Sequence, residues 1–563
     1  MFREFIPKSV LYFRAGYNRQ TFRKDLLSGI TVGIIALPLA MAFAIASGVT
    51  PDRGLFTAII AGFLISALGG SRVQIGGPTG AFVVIVYDII QRTGYEGLAI
   101  STLFAAVLLV LMGVFRLGSW IKYVPHPLIV GFTTGIAVII FSSQIKDFFG
   151  LQMGVPPANF IEKWSSYFSA FPTWNVSATL LGTGTLGLII LIRRYIHILP
   201  WGITAIVAAT LCSYFFQLPI ETIESKFGEL PSHLPLPSFP SFSILEGNLS
   251  EILMDGIVIA FLGAIESLLS AVIGDGMIGG RHKSNCELVG QGIANFASIL
   301  FGGIPATGAI ARTAANIKTG AQTPAAGMIH AATLLLILLF LSPLVSQIPL
   351  AGLAAVLMMV SWNMSELSHF INLLKAPLGD AAVLLIAFSL TVFVDITVAI
   401  SLGMILASFL FMKRMSEFSK TVQLTQLFQE SKSEFPERSD PEAISHKKVP
   451  DGVEIYEIQG PFFFGAADLL KDLMTNLRFP PKVFILRLRH VPLVDASGMH
   501  ALKEFYQKCK KDKTVLLLSG VHGQTEKDLK KFGLIHLIGE HHVFPYINDA
   551  LKKASQLTET SAS

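Results

Sequence analysis

Long apolar segments follow one another through most of the chain, and the pattern changes sharply near its end. Between Ser28 and Met412 charged residues are rare, whereas from Lys413 onwards they are dense. A helix needs about 20 apolar residues to cross the hydrocarbon core of a bilayer. The pattern therefore predicts a polytopic α-helical membrane protein with fourteen segments, near residues 28–48, 55–70, 78–90, 97–115, 124–145, 176–192, 198–217, 251–273, 286–301, 307–318, 323–343, 348–362, 380–393 and 395–412.

The part after the membrane segments alternates between the strand period and the helix period. Strands are predicted at Val453–Ile458, Val483–Leu488 and Val515–Ser519, and helices at Ala466–Leu477, Ala496–Lys511 and Thr525–Phe532. This order is typical of a small soluble α/β domain. The predicted organisation is an N-terminal arm (1–27), a membrane domain (28–414), a polar linker (415–449), the soluble domain (450–555) and a tail (556–563).

Composition supports a membrane carrier and argues against several other classes of protein. The chain is 52% hydrophobic and only 14% charged, whereas soluble proteins carry about 25% charged residues. Its net charge of +5 is small for 563 residues, so no nucleic-acid partner is predicted. Cys212, Cys286 and Cys509 are too far apart to form a disulfide framework or a metal site. The soluble domain contains no phosphate-binding loop and no evident catalytic set, so neither enzyme activity nor a cofactor is predicted.

Positive charges fix an orientation for the fourteen segments, because cytoplasmic loops are enriched in Lys and Arg. With the N-terminus inside, the inner side holds six basic residues of the arm together with Arg72, Arg116, Lys122, Arg193, Arg194, Arg281, Lys283, Lys318, Lys375, Lys413 and Arg414. The outer side holds only Arg53, Arg92, Lys146, Lys163 and Lys226. We therefore expect a cytoplasmic (inner) membrane protein with both termini in the cytoplasm. Residues 1–27 lack the apolar core of a signal peptide.

Two short apolar segments resemble each other and reveal an internal repeat. One opens Gly76-Gly77-Pro78-Thr79-Gly80-Ala81 and the other Gly302-Gly303-Ile304-Pro305-Ala306-Thr307-Gly308-Ala309, at an offset of 226 to 228 residues. The same offset relates Gly29-Ile30 to Gly256-Ile257. Seven segments per half place the second half (about 251–414) upside down relative to the first (about 28–217). Such inverted repeats are a signature of secondary transporters.

The short segments predict an anion site. Gly and Pro interrupt each apolar run, so each helix should begin near mid-membrane, where its free N–H groups carry about half a positive charge. The predicted contacts are Thr79, Gly80 and Ala81 from one half and Thr307, Gly308 and Ala309 from the other, with both threonine hydroxyls able to cap a helix or contact the anion. The competing interpretation is that these glycines only allow close helix packing.

Two ionisable residues lie within predicted membrane segments. Glu266 lies mid-segment, where a carboxylate costs about 3 kcal/mol, and Ser270 shares its helical face. We interpret this pair as a coupling site for H+ or Na+; a structural ion pair is the alternative. Arg312, in the second short helix, either attracts the anion directly or neutralises Glu266, and the sequence favours neither interpretation.

The whole chain resembles the SulP anion transporter family, and its tail resembles a STAS domain. The motifs are Ile35-Ala36-Leu37-Pro38, Gly77-Pro78-Thr79, the Glu266 segment, the Gly302–Thr323 stretch and, in the tail, Val494-Asp495-Ala496-Ser497-Gly498. The branch that looks most similar is that of the DauA-type C4-dicarboxylate transporters, on Gly263–Leu269, Glu287–Gly292 and Trp362–Glu366.

The resemblance implies a UraA-like core and gate fold, with the anion between the third and tenth helices and Phe43 as a wall of the pocket. It implies H+-coupled symport of succinate, fumarate or aspartate by a homodimer; sulfate or bicarbonate transport, with H+ or Na+, is the alternative. Within that family, Glu rather than Asp at position 266 favours protons. A membrane-anchored signalling protein, whose STAS domain recruits a cytoplasmic partner, and a nucleobase carrier of the same fold are the more distant interpretations.

The tail departs from the resemblance at one position. Phosphorylated STAS domains have Ser directly after the motif Asp, where this chain has Ala496. We therefore expect Ser497 to cap the following helix instead.

Overall fold

The computed structural model describes residues 2–196, 200–418, 420–423, 444, 447–462, 470 and 480–559. The chain forms two compact units, Met1–Ile405 and Leu406–Ser563. The boundary lies within the last long apolar helix of the chain.

The first unit is helical, as its apolar composition requires. Nine helical stretches of the described residues are long and apolar enough to cross a membrane, and two more apolar helices are shorter. The fourteen predicted segments all coincide with helices in the described ranges, two of them with α4, whereas α1, α6, α7, α10 and α16 match no predicted segment. The described helices of this part of the chain are α1 (Lys8–Arg14), α2 (Arg19–Ala46), α3 (Pro51–Leu68), α4 (Gly80–Val114), α5 (His126–Ser143), α6 (Ile145–Phe149), α7 (Phe160–Ala170), α8 (Val176–Tyr195), α9 (Trp201–Phe215), α10 (Ile223–Phe227), α11 (Leu245–Ile278), α12 (Ser284–Leu300), α13 (Ile310–Lys318), α14 (Ala325–Ser346), α15 (Leu350–Met364), α16 (Leu367–Leu374), α17 (Leu378–Phe393) and α18 (Ile396–Phe418).

Two of the predicted segments are half-helices. The long helix α4 is broken at Gly94, whose φ of 68° and ψ of −171° are not helical, so α4 supplies the third and fourth predicted segments. Helix α13 has only nine residues. Each half-helix follows a two-residue strand, β1 (Gly76–Gly77) or β2 (Thr307–Gly308). The prediction that these two segments are too short to span a membrane alone is confirmed for α13 and for the first part of α4.

The two halves of the sequence interleave in a first bundle. Helix α4 packs against α11 and α12, α3 against α12 and α14, and α2 against α14. Glycines allow the close approach: a Cβ atom at Gly29 would lie 2.5 Å from the carbonyl oxygen of Ala326. In a second bundle α5 packs against α17, and α15 packs against α5 and α8. This division into two bundles is the core and gate architecture that the resemblance implies.

The second unit contains a five-stranded sheet in the order β3 (Lys420–Gln423), β4 (Val453–Gln459), β5 (Val483–His490), β6 (Val515–Ser519) and β7 (Val543–Phe544). Strands β3 and β4 are antiparallel, and the other pairs are parallel. The described helices are α19 (Ala496–Lys511), α20 (Gly523–Lys531), α21 (Leu534–Ile538) and α22 (Ile547–Glu559). The α/β prediction is confirmed, whereas the helix predicted at Ala466–Leu477 lies almost wholly outside the described residues.

The start of α19 corrects one prediction. Ser497 lies inside the helix, which begins at Ala496, and the N-cap is Asp495. The Asp495 carboxylate accepts a hydrogen bond of 2.7 Å from the backbone N–H of Gly498. Asp and Ser are both good N-caps, and only the position at which the helix begins decides between them.

Candidate anion-binding site

The two short strands pair in the middle of the first bundle and bring the two half-helices together. We call this point, where β1 meets β2 and α4 and α13 begin, the crossing. Strands β1 and β2 pair antiparallel, with Gly76 opposite Gly308 and Gly77 opposite Thr307. The N–H of Ala309 also donates to the carbonyl of Ile75 at 2.8 Å. Helices α4 and α13 begin directly after the crossing. The paired repeats predicted from the glycine motifs therefore meet in space.

The helix starts are not capped by side chains. The N-cap residues are Thr79 for α4 and Ala309 for α13, and in this described part of the chain neither makes a side-chain cap. The first-turn N–H groups of Gly80 and Ala81, and those of Ile310, carry the positive end of each helix dipole. The Thr79 hydroxyl is buried and has no hydrogen-bond partner among the described residues. The crossing thus presents donors without acceptors.

Arg312 adds a full positive charge beside the crossing. Its side chain is 2% exposed, and Nη2 donates to the carbonyl oxygen of Pro78. The other terminal nitrogen, Nη1, is buried without a hydrogen-bond partner among the described residues. A Cβ atom at Gly77 would lie 2.7 Å from Nη1, so a glycine at this position makes room for the guanidinium. An anion at the crossing would satisfy Nη1.

Glu266 lies on α11 and is not the partner of Arg312. It is 7% exposed, and the ion pairs between described residues do not join it to Arg312 or to another cation. The lack of an ion pair disfavours the interpretation in which Arg312 neutralises Glu266.

Ser270 and Phe43 are both buried near the half-helices. The Ser270 hydroxyl lies 3.1 Å from the Thr313 hydroxyl, which also accepts from the N–H of Ile75 at 3.1 Å. Ser270 therefore joins α11 to α13. Phe43 is 5% exposed on α2, a helix that contacts both α4 and α13.

The predicted equivalence of Thr79 and Thr307 is wrong. Thr307 lies in β2, three residues before α13, and its hydroxyl donates to the carbonyl of Gly263 at 2.9 Å. It does not cap the helix. Thr79 corresponds to Ala309, the other N-cap, at a structural offset of 230 residues. Gly308 lies where a Cβ atom would overlap Nε2 of Gln74, so close packing explains this glycine.

A buried polar network that was not predicted from the sequence lies behind the site. Glu287 is fully buried, and its Oε2 accepts from the N–H groups of Gly70 at 2.8 Å and Ser71 at 3.1 Å. Its Oε1 accepts from Ser267 Oγ at 3.0 Å and Gln291 Nε2 at 3.1 Å. The network thereby fixes the residue next to Glu266 and joins both halves of the chain.

A polar stripe along α12 signals this network. Glu287, Gln291 and Asn295 recur every four residues, which places them on one helical face. The Asn295 amide donates to the carbonyl of Ala306 and accepts from its N–H, both at 2.8 Å. This pair of hydrogen bonds positions the chain that leads into β2.

Comparison with known proteins gives the family. The model of the sulfate permease family matches residues 22–387, and that of the STAS domain matches residues 445–550. The chain is 43% identical over 535 residues to "Putative sulfate transporter YvdB" of Bacillus subtilis, covering 94% of this chain and 97% of that one. It is 28% identical to the bicarbonate transporter BicA of a Picosynechococcus strain, covering 95% of each chain.

A solved structure supports the fold independently. The murine anion transporter Slc26a9, in its inward-facing state, superposes with a TM-score of 0.85, at 18% identity, over 98% of this chain and 94% of that one. These relatives are transporters and not enzymes, and their names refer to sulfate, bicarbonate and anions. They do not support the narrower resemblance to C4-dicarboxylate transporters. The chain belongs to the sulfate permease family of multi-pass membrane anion transporters and ends in a STAS domain.

Proposed function

We propose that this protein is a secondary carrier of a small inorganic oxyanion, with sulfate as the first substrate to test and bicarbonate as the second. The observation that carries the proposal is the crossing of β1 and β2, where two helix N-termini converge beside Arg312. The free donors are the first-turn N–H groups, the Thr79 hydroxyl and Arg312 Nη1. Together they match an anion whose charge is concentrated on one centre.

The same geometry favours an inorganic anion over a C4-dicarboxylate. A dicarboxylate carries a charge at each end and needs two separate groups of donors. At the crossing itself, the unpaired Thr79 hydroxyl and Arg312 Nη1 form one group. The names of the relatives, which refer to sulfate and bicarbonate, support the same substrate class.

Glu266 is the proposed coupling residue, and the proposed coupling ion is H+. A carboxylate in the middle of a membrane is costly when charged, so protonation of Glu266 would favour the conformations in which it is sealed from water. The absence of an ion pair to Glu266 among the described residues supports this role, because a paired carboxylate would hold its charge. Coupling to Na+ is the alternative that the transport assay below separates.

The decisive experiment is uptake of labelled sulfate into proteoliposomes, with an inward H+ gradient, an inward Na+ gradient or neither. Excess unlabelled bicarbonate and succinate serve as competitors. We expect H+-driven sulfate uptake that succinate does not inhibit. Uptake of succinate without sulfate or bicarbonate flux would refute the substrate class, and Na+-driven uptake would refute proton coupling.

Arg312→Gln tests the site itself. The variant should raise the KM for sulfate at least tenfold, since a charged hydrogen bond contributes about 1.5–3 kcal/mol. Arg194→Gln is the matched control, because Arg194 is exposed on α8 and the substitution removes the same positive charge. Equal KM values in the two variants would argue against an anion at the crossing.

Three further features are proposed on the resemblance and the charge pattern. They are insertion in the cytoplasmic membrane with both termini in the cytoplasm, a homodimeric assembly and a cytoplasmic protein partner for the STAS domain. Labelling of single cysteines from each side of the membrane, cross-linking in native membranes and pull-down with residues 445–550 would test them in turn.

A further inference from the structure

A cavity of about 510 Å³ lies between the two bundles of the first unit. Its walls are the C-terminal ends of α2 and α5, the first turns of α4, the short helix α7 and the turn between α17 and α18. The residues on which the argument rests are Val83, Tyr87, Lys163 and Tyr167. All of them lie in the described part of the chain.

The cavity reaches close to the candidate anion site. Val83, which lines it, follows Gly80 by three residues, and three residues of α-helix span about 4.5 Å. On the gate side, a Cβ atom at Gly80 would lie 2.7 Å from Met364 Sδ and 3.2 Å from Ile140 Cδ1. The cavity thus ends one helical turn from the start of α4, and side chains of the second bundle cover that start.

Two donors on α7 point into the cavity and lack acceptors. Lys163 is 4% exposed, and the salt bridges of the described residues leave it unpaired. The buried hydroxyl of Tyr167 has no hydrogen-bond partner among the described residues. Because the two residues are four apart on one helix, they share a face. The side chain of Asn159 caps this helix by accepting from two N–H groups, which holds both donors in place.

The other two lysines that line the cavity are already satisfied. Lys226 forms an ion pair of 2.9 Å with Asp147, and Lys146 Nζ donates to the carbonyl of Gly154 at 2.9 Å. The Nζ atom of Lys163 lies over the ring of Tyr87, 5.1 Å from its centroid. A cation over an aromatic face is only partly compensated for its burial.

We propose that Lys163 and Tyr167 form a second anion-binding site, which captures the transported oxyanion in this cavity before it reaches the crossing of β1 and β2. The inference rests on the proposed function for its substrate. An oxyanion there accepts one hydrogen bond from the ammonium group and one from the phenol, which gives both buried donors the partner they lack. The cavity is then the access route from one face of the membrane, the outer face in the predicted orientation.

The charge state of Lys163 gives this site a pH dependence. Burial lowers the pKa of Lys163 to about 8. With no anion bound, the ammonium group therefore loses its charge as the pH rises through this value. The ionisable groups that also line the cavity are Tyr87, Asp88, Lys146, Asp147, Tyr167, Lys226 and Asp395. Capture should weaken between about pH 7.5 and 9, and an arginine at position 163 should remove this loss because its pKa is far higher.

The test measures sulfate transport from each face of the membrane separately, in proteoliposomes with known protein orientation. In Lys163→Gln the KM for sulfate entering from the cavity side should rise about tenfold, with the maximal rate and the KM from the opposite side nearly unchanged. Lys163→Arg should restore the KM, and Tyr167→Phe should raise it about threefold. Lys375→Gln, an exposed lysine outside the cavity, is the control for net charge.

Binding separates this proposal from the proposed function. Equilibrium dialysis of detergent-purified Arg312→Gln with labelled sulfate should still show one binding site, even if this variant does not transport sulfate. Adding Lys163→Gln to this variant should abolish the remaining binding. Loss of all sulfate binding in Arg312→Gln, with Lys163 intact, would refute a second site. So would an unchanged one-sided KM in Lys163→Gln, or an equal loss in Lys163→Arg, which would indicate a structural role. Size-exclusion profiles identify variants that do not fold, and Tyr167→Phe, which removes one oxygen atom, then decides the outcome.

Discussion

Replacing Glu287 by alanine should destabilise the membrane unit far more than replacing it by glutamine. The carboxylate is fully buried and accepts four hydrogen bonds, two of them from backbone N–H groups. Alanine leaves the N–H groups of Gly70 and Ser71 without an acceptor. Water cannot replace the carboxylate easily at a site that is closed on all sides.

The magnitude follows from the donors that are left unsatisfied. A buried donor without a partner costs about 1–3 kcal/mol, so the two backbone groups alone account for roughly 2–6 kcal/mol. Glutamine keeps one oxygen for the two backbone donors and turns its NH2 group towards Ser267 and Gln291. Gln291 has a free Oε1 among the described residues that can accept from this group, whereas the Ser267 hydroxyl already accepts from the amides of Gln74 and Gln291 and would lose its own acceptor. The glutamine variant therefore keeps both backbone donors satisfied and loses the charge and the Ser267 hydrogen bond, at a cost of about 1–2 kcal/mol.

Thermal denaturation in detergent, followed by size-exclusion chromatography, would rank the variants. Glu251→Ala is the matched control, because Glu251 lies on α11 with a side chain that is 55% exposed, and such surface changes cost at most about 0.5 kcal/mol. We expect Glu287→Ala to lose the most stability, Glu287→Gln an intermediate amount and Glu251→Ala the least. If alanine and glutamine at position 287 were equally stable, the argument from stranded backbone donors would be wrong.

Three further predictions concern other parts of the chain. Gly308→Ala should cost about 1–3 kcal/mol by overpacking, since the new Cβ atom overlaps Gln74 Nε2; melting temperatures of Gly308→Ala and the exposed Gly184→Ala would show it. Asp495→Ala should destabilise the isolated STAS domain by about 1 kcal/mol, and urea titration should place Asp495→Asn close to the unchanged domain. Glu266→Gln should abolish accumulation of sulfate driven by an H+ gradient while sparing exchange, and full accumulation in this variant would rule out Glu266 as the proton site.

The membrane fold could be predicted from the sequence because its determinants are local. A helix that crosses a bilayer needs about 20 apolar residues, so each membrane segment can be recognised from a short stretch of sequence. The half-helices were predictable for a similar reason, since the Gly-Pro motifs that interrupt them lie in short stretches of sequence. Helix Ala496–Lys511 was located to the residue by its helical period, although its N-cap is Asp495 and not the predicted Ser497.

The features that were missed depend on contacts between distant residues. Thr307 was matched to Thr79 from the similarity of the two sequence motifs. In the structure Thr307 pairs with Gly77 in the short sheet, and α13 begins only at Ile310. The edge strands β3 and β7 are too short to carry a period of their own. Glu287 was overlooked because its donors on the first half of the chain are more than 200 residues away.

The separation between Gly70 and Glu287 in sequence has a consequence for the synthesis and membrane insertion of the protein. Gly70 emerges from the ribosome 217 residues before its partner Glu287. At a synthesis rate of about 5–20 residues per second, the interval is roughly 10–40 s. During this time the edge of β1, which the repeat places near mid-membrane, lacks its partner strand in a solvent where each unpaired backbone group costs several kcal/mol. The N–H groups of Gly70 and Ser71 lie beside Arg72 on the predicted inner side, where water can bind them. The newly inserted first half must therefore wait in a place that offers water or another protein, and the arrival of α12 and β2 releases it into lipid.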